Sequence, residues 1–316
     1  MEPILFVENE TMKINDNPMS TCYNLRVDKI KNDSRFHYYD ISGKDSTDIK
    51  KYSTVIFGVR GLYLYKRYRD KAKKKIQIKN SELCVIPNKF FMIQDMHKKS
   101  YGNVDILCEY LNQNKINIIF TFYNNYEARY IRNKTPYLKH LYFPLHIDTS
   151  IFKSVDIEKK YDILLYGSVV PLHYPFRNRL FELIMTNKNK FVVHHISNPE
   201  KFDPEKCESG LAKLINQSRI CIATKSKYDY FLGKYLEISA CKSLIAGDIP
   251  TDAIHFLKGH ILELNNNMSD NDIIRMLQTA LQNYDKYNEH IEYLYQYVND
   301  NYSLTNYSDK LYQLIN

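Results

Sequence analysis

The amino-acid sequence predicts an α/β fold with two domains, each built on a parallel sheet. Short apolar runs alternate with amphipathic helical stretches, a pattern typical of parallel sheets covered by helices on both faces. The 316 residues are about twice the length of a usual single domain. A polar, charged stretch at residues 154–160, shortly after Pro144, separates two similar halves. We therefore expect two Rossmann-like domains that face each other across a cleft.

The first half is predicted to contain four buried strands and one helix. The apolar runs that predict strands are residues 4–7, 54–57, 90–93 and 118–122. The helix covers residues 104–112, because its apolar side chains recur three and four positions apart. We place the domain boundary near residue 150, which gives an N-terminal domain of residues 1–150 and a second domain of residues 151–300.

The second half repeats the alternation more clearly. Strands are predicted at residues 161–166, 191–195, 219–223, 244–246 and 261–264, and helices at residues 176–185, 211–216 and 234–241. In the first of these helices the apolar residues lie on one face, so its arginines, Arg177 and Arg179, are predicted to point away from the core. The C-terminal third is predicted to be helical, with Ser269 and Asp272 resembling a capping box.

Composition and charge argue against a generally basic protein, a cysteine metal site and a membrane-spanning protein. Seven basic residues and one acid lie between Lys66 and Lys75, so one local stretch carries most of the net charge of +8. We interpret this stretch as a solvated helix or loop, with an anionic acceptor, a membrane surface or nucleic acid as alternative contacts. The six cysteines show no metal-ligand spacing, and no apolar run is long enough for a signal peptide or a membrane span. We expect a cytoplasmic protein with reduced thiols and no nucleic-acid partner.

The turn after the strand at residues 161–166 is a candidate phosphate site. Gly167 and Ser168 follow the strand, and Arg177 lies at the start of the next helix. Glycine allows close backbone approach, and an arginine adds charge to a helix N-terminus, which already favours anions. The turn has neither the P-loop nor the GxGxxG pattern, so an ordinary strand-to-helix turn is the alternative.

A second cluster of polar residues follows the strand at residues 219–223. Its loop contains Lys225, Lys227 and Asp229, and Gly233 opens a helix. Lys234 and Glu237 lie three residues apart on one face of that helix. A carboxylate there is placed to accept both hydroxyls of a ribose, while the lysines offset phosphate charge. The alternative is an exposed salt bridge between Lys234 and Glu237.

Three stretches together resemble the GT-B glycosyltransferases, a two-domain fold that uses nucleotide sugars. They are FPLHID at the domain junction, KKYDILLYGS followed by YPFRNRL, and GKYLEISACKSLIAGDIP. Within that fold the stretches are similar to CgeB-like, spore-coat-maturation proteins and their homologues in giant viruses and bacteria. Asp229 and Glu237 have the acid-x7-acid spacing of family-four enzymes, with Asp where that family usually has Glu. The resemblance covers roughly residues 140–260.

The resemblance implies a donor domain in the second half that binds a nucleotide diphosphate sugar, with UDP-sugars favoured. Gly167, Ser168 and Arg177 would then contact the diphosphate or donor sugar, Lys234 the phosphates and Glu237 the ribose. The remaining donor-binding candidates are Lys225, Asp229 and Gly233. Residues 301–316 would form a C-terminal helix that packs back on the first domain. The resemblance also implies a glycan or protein acceptor and transfer without a metal ion or other cofactor.

Acceptor chemistry is predicted to come from the first half. Asp95 and His97 directly follow a buried strand, and either could remove a proton from an acceptor hydroxyl. A surface turn is the alternative for this segment. His194 and His195 end another strand, where we expect one of them to be a hydrogen-bonded core residue rather than a metal ligand.

Two other functions are compatible with these patterns. A nucleotide-sugar epimerase of the same architecture would need no separate acceptor. A non-catalytic module that binds nucleotides or nucleic acid through the stretch from Lys66 to Lys75 would bind DNA or RNA with a strong dependence on salt.

Overall fold

A computed structural model of the chain describes residues 2–8, 26–40, 48–58, 86–93, 104–113, 115–124, 126–196 and 207–316. Asp95, His97 and the stretch from Lys66 to Lys75 lie outside the described residues. The chain divides into two compact units. The first contains the described residues up to Pro144 together with Ser308–Asn316, and the second contains the described residues of Leu145–Tyr307.

The first unit contains a six-stranded sheet in which every pair of neighbouring strands is parallel. In chain order the strands are β1 (Ile4–Glu8), β2 (Phe36–Asp40), β3 (Thr54–Phe57), β4 (Asn88–Ile93), β5 (Ile118–Thr121) and β6 (Lys139–Tyr142). Their order across the sheet is β2-β1-β3-β4-β5-β6. Two helices, α1 (Val104–Gln113) and α2 (Tyr126–Lys134), flank β5 in sequence, and residues 26–31 are also helical.

The second unit contains a five-stranded sheet, again with parallel neighbours. Its strands are β7 (Tyr161–Tyr166), β8 (Val193–Ile196), β9 (Ser218–Ile222), β10 (Leu244–Gly247) and β11 (Leu262–Glu263), in the order β11-β10-β9-β7-β8. Its helices are α3 (Pro175–Thr186), α4 (Cys207–Asn216), α5 (Gly233–Ala240), α6 (Ile254–Leu257), α7 (Asp270–Gln282) and α8 (Asn288–Tyr302). A last helix, α9 (Tyr307–Ile315), ends the chain.

Each unit has its own apolar core. The central strands are buried along their whole length, as β1 shows with five buried residues in succession, because helices cover both faces of such sheets. In the second unit, Ile163 and Leu165 of β7 pack with Phe176, Leu180 and Ile184 of α3. This packing fixes the start of α3 close to the end of β7.

Within the first unit, residues of α9 contact the start of β2 through charged and aromatic side chains. The guanidinium of Arg35 lies 2.5 Å from Asp309 and 4.6 Å from the centre of the Tyr312 ring. The Tyr312 ring also meets Phe36 edge-on, with ring centres 6.2 Å apart. These contacts join the C-terminal residues to the N-terminal end of β2.

The structure confirms two α/β domains with parallel sheets. Strands β3 and β7 have the predicted bounds, and Ser269 caps α7 by accepting a hydrogen bond from the Asp272 amide. Strands β2 and β6 and helix α2 were not predicted from the sequence. Strands β2 and β6 are the two edges of the first sheet, and their segments FHYYD and KHLY lack a continuous apolar run.

Candidate functional site

The candidate residues of the second half come together at the carboxyl-terminal ends of β7, β9 and β10. These strands are neighbours in the sheet although they are far apart in sequence. The turn after β7, the loop after β9 and the first turn of α5 all leave from this edge. Ligands of open parallel sheets bind outside the carboxyl ends of the strands, so this edge is where a small-molecule site is expected.

Gly167 is required by its surroundings for two separate reasons. Its φ of +83° lies in the left-handed region that side chains disfavour. A Cβ at this position would also lie 2.7 Å from Lys234 Nζ and 3.8 Å from Arg177 Nη1. The glycine therefore lets the Lys234 side chain lie directly against the strand end, with Arg177 Nη1 close by.

Arg177, in the first turn of α3, is buried, with 3% of its surface exposed. Its Nε donates to Thr224 Oγ1 at 3.1 Å, its Nη2 to the Thr224 carbonyl at 2.8 Å, and its Nη1 to the Ser168 carbonyl at 3.0 Å. The Tyr174 ring lies 4.1 Å from the guanidinium carbon. Burial lowers the pKa of Arg177. The prediction that this arginine points away from the core is wrong, because its side chain reaches across the strand ends from β7 to β9.

Lys234, in the first turn of α5, reaches the same strand end from the other side. Its ammonium donates to the Tyr166 carbonyl and lies 3.8 Å from the centre of the Tyr166 ring. Burial holds the pKa of Lys234 well below its usual value, the charge of Arg177 lowers that pKa further, and Glu237 partly offsets both effects. A site that concentrates two cations in this way favours an anionic ligand.

Glu237 lies one turn further along α5. The Tyr166 hydroxyl donates to Glu237 Oε2 at 2.9 Å, and Glu237 Oε1 would lie 3.2 Å from a Cβ placed on Gly233. Burial and the Glu237 charge both raise the pKa of the Tyr166 hydroxyl, so it stays protonated and acts as a donor. Tyr166 contacts both Lys234 and Glu237, and the sequence analysis missed it, although its place directly before Gly167 was a signal.

Asp229 and Lys225 lie in the loop after β9, where their side chains contact each other. Lys225 Nζ is 2.8 Å from Asp229 Oδ1, and both Asp229 carboxylate oxygens lie 3.3 Å from the Thr251 amide that donates to them. The backbone of Asp229 is left-handed, with φ of +61°, a conformation that Asp tolerates better than most residues. The first acid of the acid-x7-acid pair thus holds this loop against the segment after β10.

Ser168, the other predicted residue of the turn, contributes mainly through its backbone. Its carbonyl accepts from Arg177, while its hydroxyl oxygen accepts weakly from the Val170 amide at 3.4 Å.

Asp248, directly after β10, is a second residue that the sequence analysis did not single out. Its Oδ1 accepts from the Lys225 amide at 2.9 Å, and its carbonyl accepts from the Tyr235 hydroxyl at 2.7 Å. Burial raises the pKa of Asp248 to about 6, although the Lys225 amide and the charges of Lys225 and Arg177 act in the opposite direction. The edge therefore carries a protonatable acid beside its cations.

Other predicted residues do not join this cluster. His195 packs against Phe181 with ring centres 4.5 Å apart. Among the residues that the structure describes, none forms a hydrogen bond with its Nε2, contrary to the expectation of a hydrogen-bonded core histidine. His194 packs against Tyr161. Within the described ranges, no three His, Cys, Asp or Glu side chains form a metal-binding group. No helix in the described part of the chain is long and apolar enough to span a membrane.

Comparison with solved structures identifies the fold. Sucrose-phosphate synthase from Thermosynechococcus elongatus superimposes with a TM-score of 0.60 over 99% of this chain and 98% of its own, at 10% identity. Anabaena HepE in complex with UDP superimposes with a TM-score of 0.57 over 99% of both chains, at 9% identity. The fold is of the GT-B type. At these identities the likeness shows the fold alone.

A variant of S. aureus TarM, bound to fondaparinux, α-GlcNAc-glycerol and UDP, also has this GT-B fold. It superimposes with a TM-score of 0.54 over 85% of this chain and 56% of its own, at 17% identity. No protein-family model matches the chain, and no curated protein matches its sequence.

Proposed function

We propose that this protein is a glycosyltransferase that moves a sugar from a nucleotide diphosphate sugar, with UDP-sugars favoured, to a hydroxyl of a glycan or protein acceptor. The observation that carries the proposal is the pair of cations at Gly167. Arg177 and Lys234 come from different helices, and both side chains lie beside Gly167 at the end of β7. A diphosphate carries the negative charge that two such cations favour.

The cations have a direct role in the proposed chemistry. In the transfer, the acceptor oxygen bonds to the anomeric carbon, the bond from that carbon to the β-phosphate oxygen breaks, and the nucleoside diphosphate leaves with the bonding electrons. Negative charge grows on the leaving phosphate, and preorganised cations stabilise it without reorganising. Arg177 is held in place by three hydrogen bonds, so its position does not depend on the ligand. The proton of the acceptor hydroxyl goes to a base, for which Asp95 and His97 are our candidates.

Glu237 is proposed to accept hydrogen bonds from the ribose hydroxyls. Its carboxylate lies on the same helix as Lys234, one turn from it, and Tyr166 contacts both side chains. A ribose and its phosphates could therefore engage Glu237 and Lys234 together. Asp229 is proposed to support donor binding by positioning the loop after β9, since its carboxylate already binds Lys225 and the Thr251 amide.

The solved neighbours are consistent with this proposal. HepE has been crystallised with UDP and with UDP-glucose, and the TarM variant with UDP. We propose that transfer proceeds without a metal ion, with Arg177 and Lys234 supplying the positive charge.

The experiment compares UDP, dTDP and GDP as ligands and then UDP-sugars as substrates. We expect a nucleoside diphosphate at 100 times its Kd to stabilise the protein by about 2.7 kcal/mol, measured as a rise in Tm. The variant Glu237→Gln should bind UDP about tenfold to a hundredfold more weakly, since a charge-assisted hydrogen bond contributes about 1.5 to 3 kcal/mol. Glu292→Gln, a surface acid on α8 paired with Lys242, serves as the control and should leave UDP binding unchanged.

Two results would overturn the proposal. A Tm that does not change with any of the three nucleotides at millimolar concentration contradicts a donor site. Conversion of the UDP-sugar to an isomeric UDP-sugar without an acceptor would indicate an epimerase instead.

A further inference from the structure

A pair of histidines lies at the opposite edge of the second sheet from the candidate donor site. His260 precedes β11 and therefore lies at the amino-terminal edge, whereas the cation pair lies at the carboxyl-terminal edge. His290 lies in the first turn of α8. The two Nδ1 atoms are 3.4 Å apart.

This separation matches two ligands of one tetrahedral metal ion better than it matches a hydrogen bond. Zinc–nitrogen bonds of about 2.0 to 2.1 Å at a tetrahedral angle place the two nitrogens about 3.3 to 3.4 Å apart. A hydrogen bond from N–H to an acceptor has its heavy atoms most often about 2.9 to 3.0 Å apart. The two Nδ1 atoms of His260 and His290 are thus spaced as coordinating nitrogens.

Aromatic contacts hold both imidazole rings. Tyr293, one turn after His290 on α8, stacks on the His260 ring with centres 3.9 Å apart and planes 18° apart. Tyr287 packs against His290 with ring centres 6.2 Å apart. These ring contacts hold the two Nδ1 atoms at their observed separation.

We propose that His260 and His290 form a binding site for a divalent transition metal of the zinc class. Two imidazoles supply the protein ligands, and both side chains are partly exposed, so water can complete the coordination. Imidazole nitrogen suits zinc, copper and nickel, whereas calcium and magnesium prefer oxygen ligands. A bound ion joins the turn before β11 to the start of α8 and stabilises the second unit at a point remote in the sheet from nucleotide binding.

The test uses the full chain freed of metal with a chelator and dialysed at pH 7.5. Co²⁺ titration should produce the visible absorption of a tetrahedral complex, and calorimetry with Zn²⁺ should give one site per chain. His260→Gln and His290→Gln should each weaken Zn²⁺ binding by at least about tenfold, because the loss of outer-shell partners alone costs 10- to 100-fold. His255→Gln is the matched control, since His255 is an exposed histidine on the same surface that bonds to Tyr297.

A second readout does not require nucleotide or activity. Zn²⁺ should raise the Tm of the wild type and of His255→Gln but leave the Tm of both pair variants unchanged, while all four proteins melt alike in chelator. Zn²⁺ binding that is equally tight in the wild type and both pair variants, or no binding by the wild type at millimolar Zn²⁺, overturns the proposal. Since neither outcome involves UDP, failure here is distinct from failure of the proposed function.

Discussion

Two partly buried lysines lie at opposite edges of the second sheet, and their surroundings differ. Lys159 precedes β7 at the amino-terminal edge and donates to the Ser218 carbonyl at 2.9 Å and to Ser243 Oγ at 3.1 Å. Lys234 lies at the carboxyl-terminal edge, above the Tyr166 carbonyl and ring. Burial is the largest cause of a lowered pKa for both lysines.

The second-largest cause of the pKa shift differs between Lys159 and Lys234. For Lys159, the next largest effects on the pKa come from Cys221 and Cys241, and both raise it. The charge of Arg219 lowers the pKa and has the smallest effect. Around Lys234 the next contribution is the charge of Arg177, which lowers the pKa further. Lys159 donates to two neutral oxygens, whereas Lys234 faces the second cation Arg177, and an anionic ligand would offset that repulsion. We therefore expect Lys159 to have a structural role, and the surroundings of Lys234 agree with its proposed role in ligand binding.

Replacing Lys234 should have the largest effect and should separate binding from stability. In Lys234→Met, UDP affinity should fall about tenfold to a hundredfold, since a charged hydrogen bond to phosphate contributes about 1.5 to 3 kcal/mol. The free energy of unfolding without ligand should stay level or rise, because the repulsion with Arg177 disappears. Calorimetry with UDP and urea unfolding measure the two quantities. Unchanged UDP affinity together with a large loss of stability would give Lys234 the structural role instead.

Asp248 tests whether the charges at the carboxyl-terminal edge destabilise the unliganded fold. Its folded pKa of about 6 lies above the ordinary value of 3.8 for an aspartate, so between those values the folded state binds more protons than the unfolded state. The free energy of unfolding therefore falls as pH rises from about 4 to 6, and the loss remains at higher pH. Full linkage gives about 3 kcal/mol at 1.36 kcal/mol per pKa unit, and we expect about 1 to 2 because the carboxyl is partly exposed.

Asp248→Asn keeps an oxygen to accept from the Lys225 amide but removes the charge. At pH 7.5 the free energy of unfolding of the variant should exceed that of the wild type by about 1 to 2 kcal/mol. This difference should vanish as pH approaches 4. Urea unfolding across pH 4 to 8 measures it, with Asp270→Asn on the exposed start of α7 as control. A difference that stays constant across the whole range would show that the Asp248 charge is not its cause.

Replacing Lys159 should give the reverse of the Lys234 result. Lys159→Met keeps the apolar stem but removes the donor to the Ser218 carbonyl and Ser243 Oγ, so the free energy of unfolding should fall by about 1 kcal/mol. UDP affinity should not change. Lys160→Met, at the exposed neighbouring position, is the control and should be neutral in both measurements. Weaker UDP binding in Lys159→Met would mean that the two edges are coupled and would break the comparison.

The two edges also show what the sequence could and could not predict. The end of β7 before Gly167 and the start of α5 at Gly233 were predictable, because both follow from apolar runs and small residues read locally. The contacts of Arg177 with Thr224 were not predictable from the sequence, because they depend on β9 lying next to β7 in the sheet. A helical pattern assigns a face to each side chain, but a long guanidinium can reach beyond that face.

The same reason explains why Tyr166 and Asp248 were missed. Tyr166 resembles the other residues of a buried strand in sequence, and its hydrogen bond to Glu237 depends on α5 lying beside β7. Asp248 follows a strand as many surface acids do, and its burial results from packing between β9, β10 and α5. The fold class depends on patterns repeated along the chain, whereas these site residues depend on single contacts between distant segments.

Tyr166→Phe should have the smallest effect on UDP affinity. It tests whether Tyr166 orients Glu237 for the proposed contact with the ribose. The substitution leaves the ring under Lys234 and the carbonyl that Lys234 binds, and it removes only the hydroxyl that donates to Glu237 Oε2. If that hydrogen bond orients the Glu237 carboxylate for the ribose, UDP affinity should fall about two- to fivefold, from the loss of about 0.5 to 1 kcal/mol. Binding of 2′,3′-dideoxy-UDP should be unaffected, since it has no hydroxyls for Glu237 to bind.

The double variant Tyr166→Phe, Glu237→Gln should bind UDP as Glu237→Gln does, because the two changes remove one interaction. A purely structural role for Tyr166 would weaken UDP and its dideoxy analogue equally, and additive losses in the double variant would show that Tyr166 and Glu237 act independently.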